Sequence, residues 1–253
     1  MNTVLQGEIE FRNLNFSYGN TEVLHDISLH FPAASTIAIV GPTGSGKTTL
    51  VNLISRLYEA PEGSLLIDGR GVREYPLAVL RRNIGMVPQE TFLFSETIRG
   101  NLAFGAPDTS AEDMLEAAEA AHIRREFEEF PQGFETMVGE RGVTLSGGQK
   151  QRAAIARALL RRPAILILDD ALANVDTYTE ERILSGLGAY TATSTTILIS
   201  HRVSTVRNAD QIVVLDRGRI VEIGRHDELL ALDGYYASLY QKQQLEEELT
   251  VAG

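Results

Sequence analysis

The spacing of hydrophobic residues changes character along the chain. Ile9 and Phe11, then Phe16 and Tyr18, alternate with polar neighbours, and Ile27, Leu29 and Phe31 repeat that period of two. Such alternation predicts antiparallel strands with one buried face. From Thr36 the apolar runs TIAIVG, AILILD, TTILIS and QIVVLD are short, continuous and rich in Ile, Val and Leu. Strands covered by helices on both faces have this composition, so these runs predict a parallel sheet. KTTLVNLISRLY follows the first run and predicts a helix with Leu50, Leu53, Ile54 and Leu57 on one stripe. Between Gln89 and Arg162 helical spacing dominates, in EDMLEAAEAAHIRREFEEF and GGQKQRAAIARALLRR. Ser110 suits an N-cap for the first of these, with Asp113 three positions on. VVLDRGRIVEIG predicts a hairpin turning at Arg217 and Gly218, and the acidic tail QQLEEELTVAG a frayed end.

These elements predict an α/β fold in one domain over 1–253: an N-terminal antiparallel β subdomain and a parallel core in 1–88 and 163–253, with a helical subdomain inserted at 89–162. A chain of 253 residues is long enough to bury a large core. The 23 basic against 34 acidic residues give a formal charge of -11. A duplex-binding protein needs a basic face, so nucleic acid is not the expected partner. Without cysteine there are no disulfides or thiolate metal sites, and a reducing cytosolic setting is the simpler reading. No apolar run approaches the ~20 residues that span a bilayer, and MNTVLQGEIE lacks the pattern of a signal peptide. Any work at a membrane is therefore expected to go through other chains.

Two segments carry chemistry. GPTGSGKTT lies between the strand TIAIV and a helix, the context in which a phosphate-cradling loop is credible. Gly41, Gly44 and Gly46 leave the loop amides free to face phosphate oxygens at a helix start. Lys47 supplies charge to the β- and γ-phosphates, and the Thr48 hydroxyl suits magnesium. Thr43, Ser45 and Thr49 complete the set of ATP-binding candidates in this loop. AILILDD places Asp169 and Asp170 at the tip of a buried strand, where Asp169 suits magnesium and Asp170 the attacking water. The plain alternatives are a glycine-rich turn and a structural Asp-Asp pair; the two motifs together favour a magnesium-ATP site. LSGGQ, directly before KQRAAIARALL, offers a second anion site from Ser146, Gly147, Gly148 and Gln149, or simply a helix cap.

In combination, these residues resemble the nucleotide-binding domains of ABC transporters, over nearly the whole chain. The resemblance implies a P-loop NTPase core and assigns roles to further positions. Tyr18 in FSYG matches the aromatic that stacks on adenine, and Val23 is a second nucleotide contact. Gln89 in MVPQE matches the glutamine that senses magnesium, His201 in TTILISHR the switch histidine at the γ-phosphate, and Asp176 in ANVD the loop that meets the opposite subunit. It also implies ATP and Mg2+ as ligands and a second nucleotide-binding domain packed head to tail, so that each ATP lies between one phosphate loop and the other chain's LSGGQ. QETFLFSETIRGNLAFG and VGERG look like the exporter branch, whose members face membrane-spanning domains. The chain is then a domain at the cytoplasmic side of a membrane, soluble by itself, and either excised from a longer protein or a separate subunit.

Three positions depart from that pattern. Efficient exporters carry glutamate directly after the magnesium-binding aspartate, where this chain has Asp170. Ala173 stands where serine is common, and Met137 where glutamate often contacts the membrane domains. The shorter carboxylate resembles the weak site of heterodimeric exporters and implies a different partner chain. Two alternatives stay open: a non-transport ABC ATPase, which normally carries long insertions absent here, and a regulatory module that holds ATP with negligible turnover.

Overall fold

The computed structural model describes residues 4–139 and 142–251. The chain starts with β1 (Ile9–Tyr18) and β2 (Thr21–Phe31), an antiparallel pair, then β3 (Thr36–Val40) leading into helix α1 (Lys47–Ile54). β4 (Leu65–Ile67), β5 (Arg70–Gly71), helix α2 (Leu77–Arg82) and β6 (Ile84–Val87) follow. The middle is helical, with α3 (Ile98–Leu102), α4 (Ala111–Ala120), α5 (Arg124–Glu128) and α6 (Gly147–Leu159). After β7 (Ile165–Asp169) come α7 (Thr177–Gly186), α8 (Gly188–Thr191), β8 (Thr195–Ile199) and α9 (Val203–Val206). The chain closes with β9 (Gln211–Asp216), β10 (Arg219–Gly224), α10 (His226–Ala231) and α11 (Tyr235–Val251).

Two sheets result. The antiparallel one has strand order β2-β1-β4-β5, and the six-stranded one has the order β10-β9-β3-β8-β7-β6. Every pairing in the larger sheet is parallel except β9 with β10. Because strand side chains alternate between faces, each run feeds two cores. Ile37, Ile39, Ile165, Ile167, Ile197, Ile199, Val213 and Leu215 pack toward α1 and the antiparallel sheet, joined by Phe11 and Phe31. On the opposite face Leu166, Leu168 and Leu198 pack with the helices of the middle region, while Ala38, Val40, Ile212 and Val214 meet α9, α10 and α11. Burying an Ile or Leu on each face contributes about 1.5–3 kcal/mol apiece, which accounts for uninterrupted apolar runs in place of alternation.

The hairpin turn falls where the sequence predicts it, with left-handed φ at Arg217 (45°) and Gly218 (73°), as tight hairpins require. A Cβ on Gly218 would lie 2.0 Å from the Val23 carbonyl oxygen. The closeness has a purpose: the Gly218 amide donates to the Ser45 carbonyl at 2.9 Å and its carbonyl accepts from His25 at 2.9 Å. The turn thereby ties both sheets to the phosphate loop.

Several expectations need correction. Leu57 does not extend the buried stripe of α1; the helix stops at Ile54, Arg56 takes a φ of 50°, and Leu57 is 60% exposed. The long helix expected in EDMLEAAEAAHIRREFEEF is broken at His122, whose φ of 53° separates α4 from α5. The described part of the tail, expected to fray, continues α11 through Val251; Glu222 caps the start of that helix by accepting from the backbone N–H groups of Tyr235 and Tyr236. β4 and β6 carry too few residues to show a period; β6 pairs with the distant β7, and β4 with the distant β1 as well as the adjacent β5.

Candidate functional site

The carboxyl ends of β3, β7 and β8 meet at one edge of the parallel sheet, where α/β folds bind ligands. β3 delivers the loop 41–48 directly into α1. Gly41 passes so close to β9 that a Cβ would lie 2.0 Å from the Leu215 carbonyl oxygen, at a φ of 148°; only glycine fits. The Lys47 ammonium donates to the carbonyls of Gly41 at 2.8 Å and Pro42 at 2.9 Å, which draws the loop into a ring. Burial lowers the Lys47 pKa, while Asp170 and Asp169 act in the opposite direction. Val23, Gly44, Ser45, Gly46, Lys47, Thr48 and Thr49 line a cavity of about 230 Å3. Tyr18 stands beside it, 38% exposed; its hydroxyl lies 3.3 Å from Thr49 Oγ1 and its ring meets Tyr58 edge-on at 4.8 Å. Thr43 is exposed.

Asp169, at the end of β7, is 1% exposed, and its Oδ1 has no hydrogen-bond partner. Burial pushes its carboxyl pKa up and Asp170 adds to this, against the pull of a Thr48 hydrogen bond and Lys47. A buried, unsatisfied carboxylate oxygen is costly unless a cation or donor completes it. Thr48 and Asp169 are hard oxygen donors of the kind magnesium takes. Among the described residues no cluster of three His, Cys, Asp or Glu could hold a metal alone, so an ion here would also need substrate oxygens. Gln89 lies exposed just past β6; since Val87 pairs with Leu168, it shares the sheet edge with Asp169.

Asp170 follows with a left-handed φ of 47°, a region that aspartate enters more readily than most residues. Its Oδ1 lies 3.2 Å from Nδ1 of the exposed His201, which leaves the end of β8. The sheet thus brings Lys47, Asp169, Asp170 and His201 to one edge.

The second glycine-rich motif stands elsewhere. Ser146 caps α6 by accepting from the Gln149 N–H at 3.2 Å, and the Gln149 side chain accepts from the Ser146 N–H at 2.9 Å. Gly147 and Gly148 pack beside Asn174, whose N–H donates to Gln151 at 3.0 Å. Asp176 caps α7 by accepting from the Thr179 N–H at 3.0 Å. Among the described residues no hydrogen bond or ion pair joins 146–149 to the loop 41–48, so one chain does not close the two motifs on each other.

A family model described as ABC transporter matches residues 24–173, more than half of the chain. The chain belongs to the ABC transporter family. An ATP-dependent lipid A-core flippase of Desulfotalea psychrophila is 48% identical over 235 residues, which cover 93% of this ATPase domain and 41% of the flippase. A Bacillus subtilis protein named for multidrug export, an ATP-binding/permease protein, is 47% identical over 243 residues, or 95% of this domain and 42% of that protein. A solved structure of a bacterial Atm1-family ABC exporter with ATP bound superposes with a TM-score of 0.91 at 44% identity, over 95% of this domain and 43% of that chain. The ATPase domain thus spans about two fifths of the length of these relatives.

The geometry also shows residues that motif reading missed. Arg202, next to His201, donates to the Ala173 carbonyl at 3.1 Å, the Val175 carbonyl at 2.9 Å and the buried carboxylate of Glu180 at 2.6 Å. It fixes the loop that ends at Asp176. Glu126 on α5 accepts from Gln149 at 2.9 Å and pairs with Arg152 at 2.5 Å, which anchors the start of α6. Arg202, Glu180, Glu126 and Arg152 belong to no motif in the sequence, and their partners lie 22 to 26 residues away, so no local signal points to them. Glu140 and Arg141 of VGERG lie outside the described residues.

Proposed function

We propose that this ATPase domain binds magnesium-ATP on the loop 41–48 and closes it against the 146–149 motif of a second ABC domain, so that ATP binding and hydrolysis drive the membrane-spanning domains of an exporter. One observation carries the reading: the buried, unsatisfied Asp169 carboxylate, with Lys47, Thr48 and His201 at one sheet edge, while a second glycine-rich helix start lies elsewhere in the same chain with no hydrogen bond to that loop among the described residues.

In this reading Lys47 offsets charge on the β- and γ-phosphates, the amides of Gly44 and Gly46 face the phosphates, and Tyr18 and Val23 hold the adenine. Thr48 and Asp169 would hold magnesium, with Gln89 past the same sheet edge; a bound ion would supply positive charge against the phosphates. Asp170 orients water, and His201 holds the γ-phosphate. Residues 89–162 act as the helical subdomain that carries Ser146, Gly147, Gly148 and Gln149 to the other chain's nucleotide, with Asp176 beside them. Phe92 and Phe104 are 66% and 56% exposed, next to Phe94 and above a groove of about 250 Å3 that reaches Arg157. That aromatic edge suits a docking face for membrane domains, which would place the domain on the cytoplasmic side of a membrane. No helix among the described residues is long and apolar enough to cross one.

We also infer slow hydrolysis at this loop. Asp170 is one methylene shorter than glutamate and already touches His201, and a misplacement of ~1 Å costs about 100-fold in rate. The partner is then a different chain whose own site has glutamate. Asp170→Glu is expected to raise phosphate release about 10- to 100-fold with ATP affinity little changed. Fast release by the unaltered domain, unaffected by the substitution, would sink the weak-site reading.

A further inference from the structure

Helix α11 buries one stripe. Tyr236 is fully buried, and Leu239 and Tyr240 pack against the same cluster. The next position on that face, seven residues after Tyr236, is Gln243. An amide stands where the stripe would continue apolar, and both of its ends are used. Gln243 Nε2 donates to the His201 carbonyl at 2.5 Å. Gln243 Oε1 accepts from the Val203 N–H at 2.8 Å. The partners fix the orientation of the amide, since a carbonyl accepts and an N–H donates. Val203 opens α9, so its N–H is one of the donors that a helix start leaves unsatisfied.

We propose that Gln243 is a positioning residue for His201: α11 grips the backbone on both sides of Arg202 and so sets where the His201 imidazole stands against Asp170. The grip is two-sided. Arg202 holds the loop 173–175 from the same short segment, and the Arg202 N–H donates to Ser200 Oγ at 3.0 Å. The helix that carries Gln243 is itself fixed, by the Glu222 cap and by the Tyr236 hydroxyl, 2.8 Å from His226 Nδ1. Freed of the amide, the segment 201–203 keeps its fold through Arg202 and the apolar packing of Val203, and loses its hydrogen bonds to α11. The proposal rests on the reading that His201 serves ATP hydrolysis.

Gln243→Ala, Gln243→Glu, His201→Ala and the His201→Ala/Gln243→Ala double variant of the whole chain test it, by steady-state phosphate release, melting temperature and amide hydrogen exchange at Val203. Gln243→Ala is expected to speed exchange at Val203 and to lower kcat about tenfold, with KM for ATP within about twofold. Gln243→Glu keeps the acceptor for Val203 and loses the donor to His201, so exchange at Val203 stays slow while kcat still falls. The double variant should be no slower than His201→Ala alone, as two groups acting through one another are not additive. An unchanged kcat in Gln243→Ala, or losses that multiply in the double variant, would overturn the assignment. If His201→Ala leaves phosphate release intact, the role of His201 fails and the assignment with it, whereas unaltered Val203 exchange in Gln243→Ala refutes the clamp alone.

Discussion

Single side chains decide the chemistry at the carboxyl edge of the sheet. Asp169 is buried with one oxygen unpartnered, and burial raises its carboxyl pKa, so its charged form is disfavoured until a cation or donor completes it. Lys47, in turn, is half-buried against two loop carbonyls. Both groups carry an electrostatic cost that a bound phosphate and cation would relieve, which is how a site stores affinity for its ligand. The backbone is equally specific at Gly41. Gly41→Ala forces a Cβ within 2.0 Å of the Leu215 carbonyl oxygen, so it is expected to cost about 1–3 kcal/mol of stability and to abolish ATP binding. Thermal melts and nucleotide titration check this, and an unaltered affinity would show that the loop relaxes freely.

Elements carry stability and set the motifs in place. Ile167 at the centre of β7 is fully buried, and Ile167→Ala should cost about 2–5 kcal/mol through the cavity it leaves, read from urea unfolding. At the start of α6 a different force operates. Burial pushes the Glu126 carboxyl pKa up, but hydrogen bonds from Arg152 and Gln149 and the Arg152 charge outweigh it, so the group titrates below its ordinary 4.5. A depressed carboxyl stabilises the fold above the unfolded value and loses that contribution as pH falls through the lowered one. The α6 start is therefore expected to loosen in acid, below about pH 4.5. Glu126→Gln should flatten the fall in melting temperature over that range; a slope equal to that of the unaltered chain would refute the anchor.

For the whole molecule, the separation of 41–48 from 146–149 has a direct consequence. A nucleotide covered on both sides needs a second ABC domain, so association should depend on the nucleotide. With magnesium-ATP and a second ABC domain, the 27.7 kDa chain is expected to form a pair by light scattering, and Ser146→Arg should prevent it by filling the anion site. Pairing that ignores both nucleotide and Ser146 would refute this arrangement.

Much of this molecule is encoded locally. The apolar runs of β3, β7, β8 and β9, the turn at Arg217 and Gly218, the caps at Ser110, Ser146 and Asp176, and the phosphate loop all depend on residues within a few positions of each other, where propensity and hydrogen bonding act directly. The break at His122, whose carbonyl accepts from Arg152, the pairing of β4 with β1 and that of β6 with β7 depend on partners brought from far along the chain, and no local pattern carries them. The same holds within the site. Loop 41–48 and Asp169 could be read as a pair because each motif is complete in itself. Arg202 on the loop before Asp176, Glu126 on Gln149 and Gln243 on His201 are polar residues of common type, and only tertiary contact, by burying them against unpaired backbone groups and charges, gives them a task.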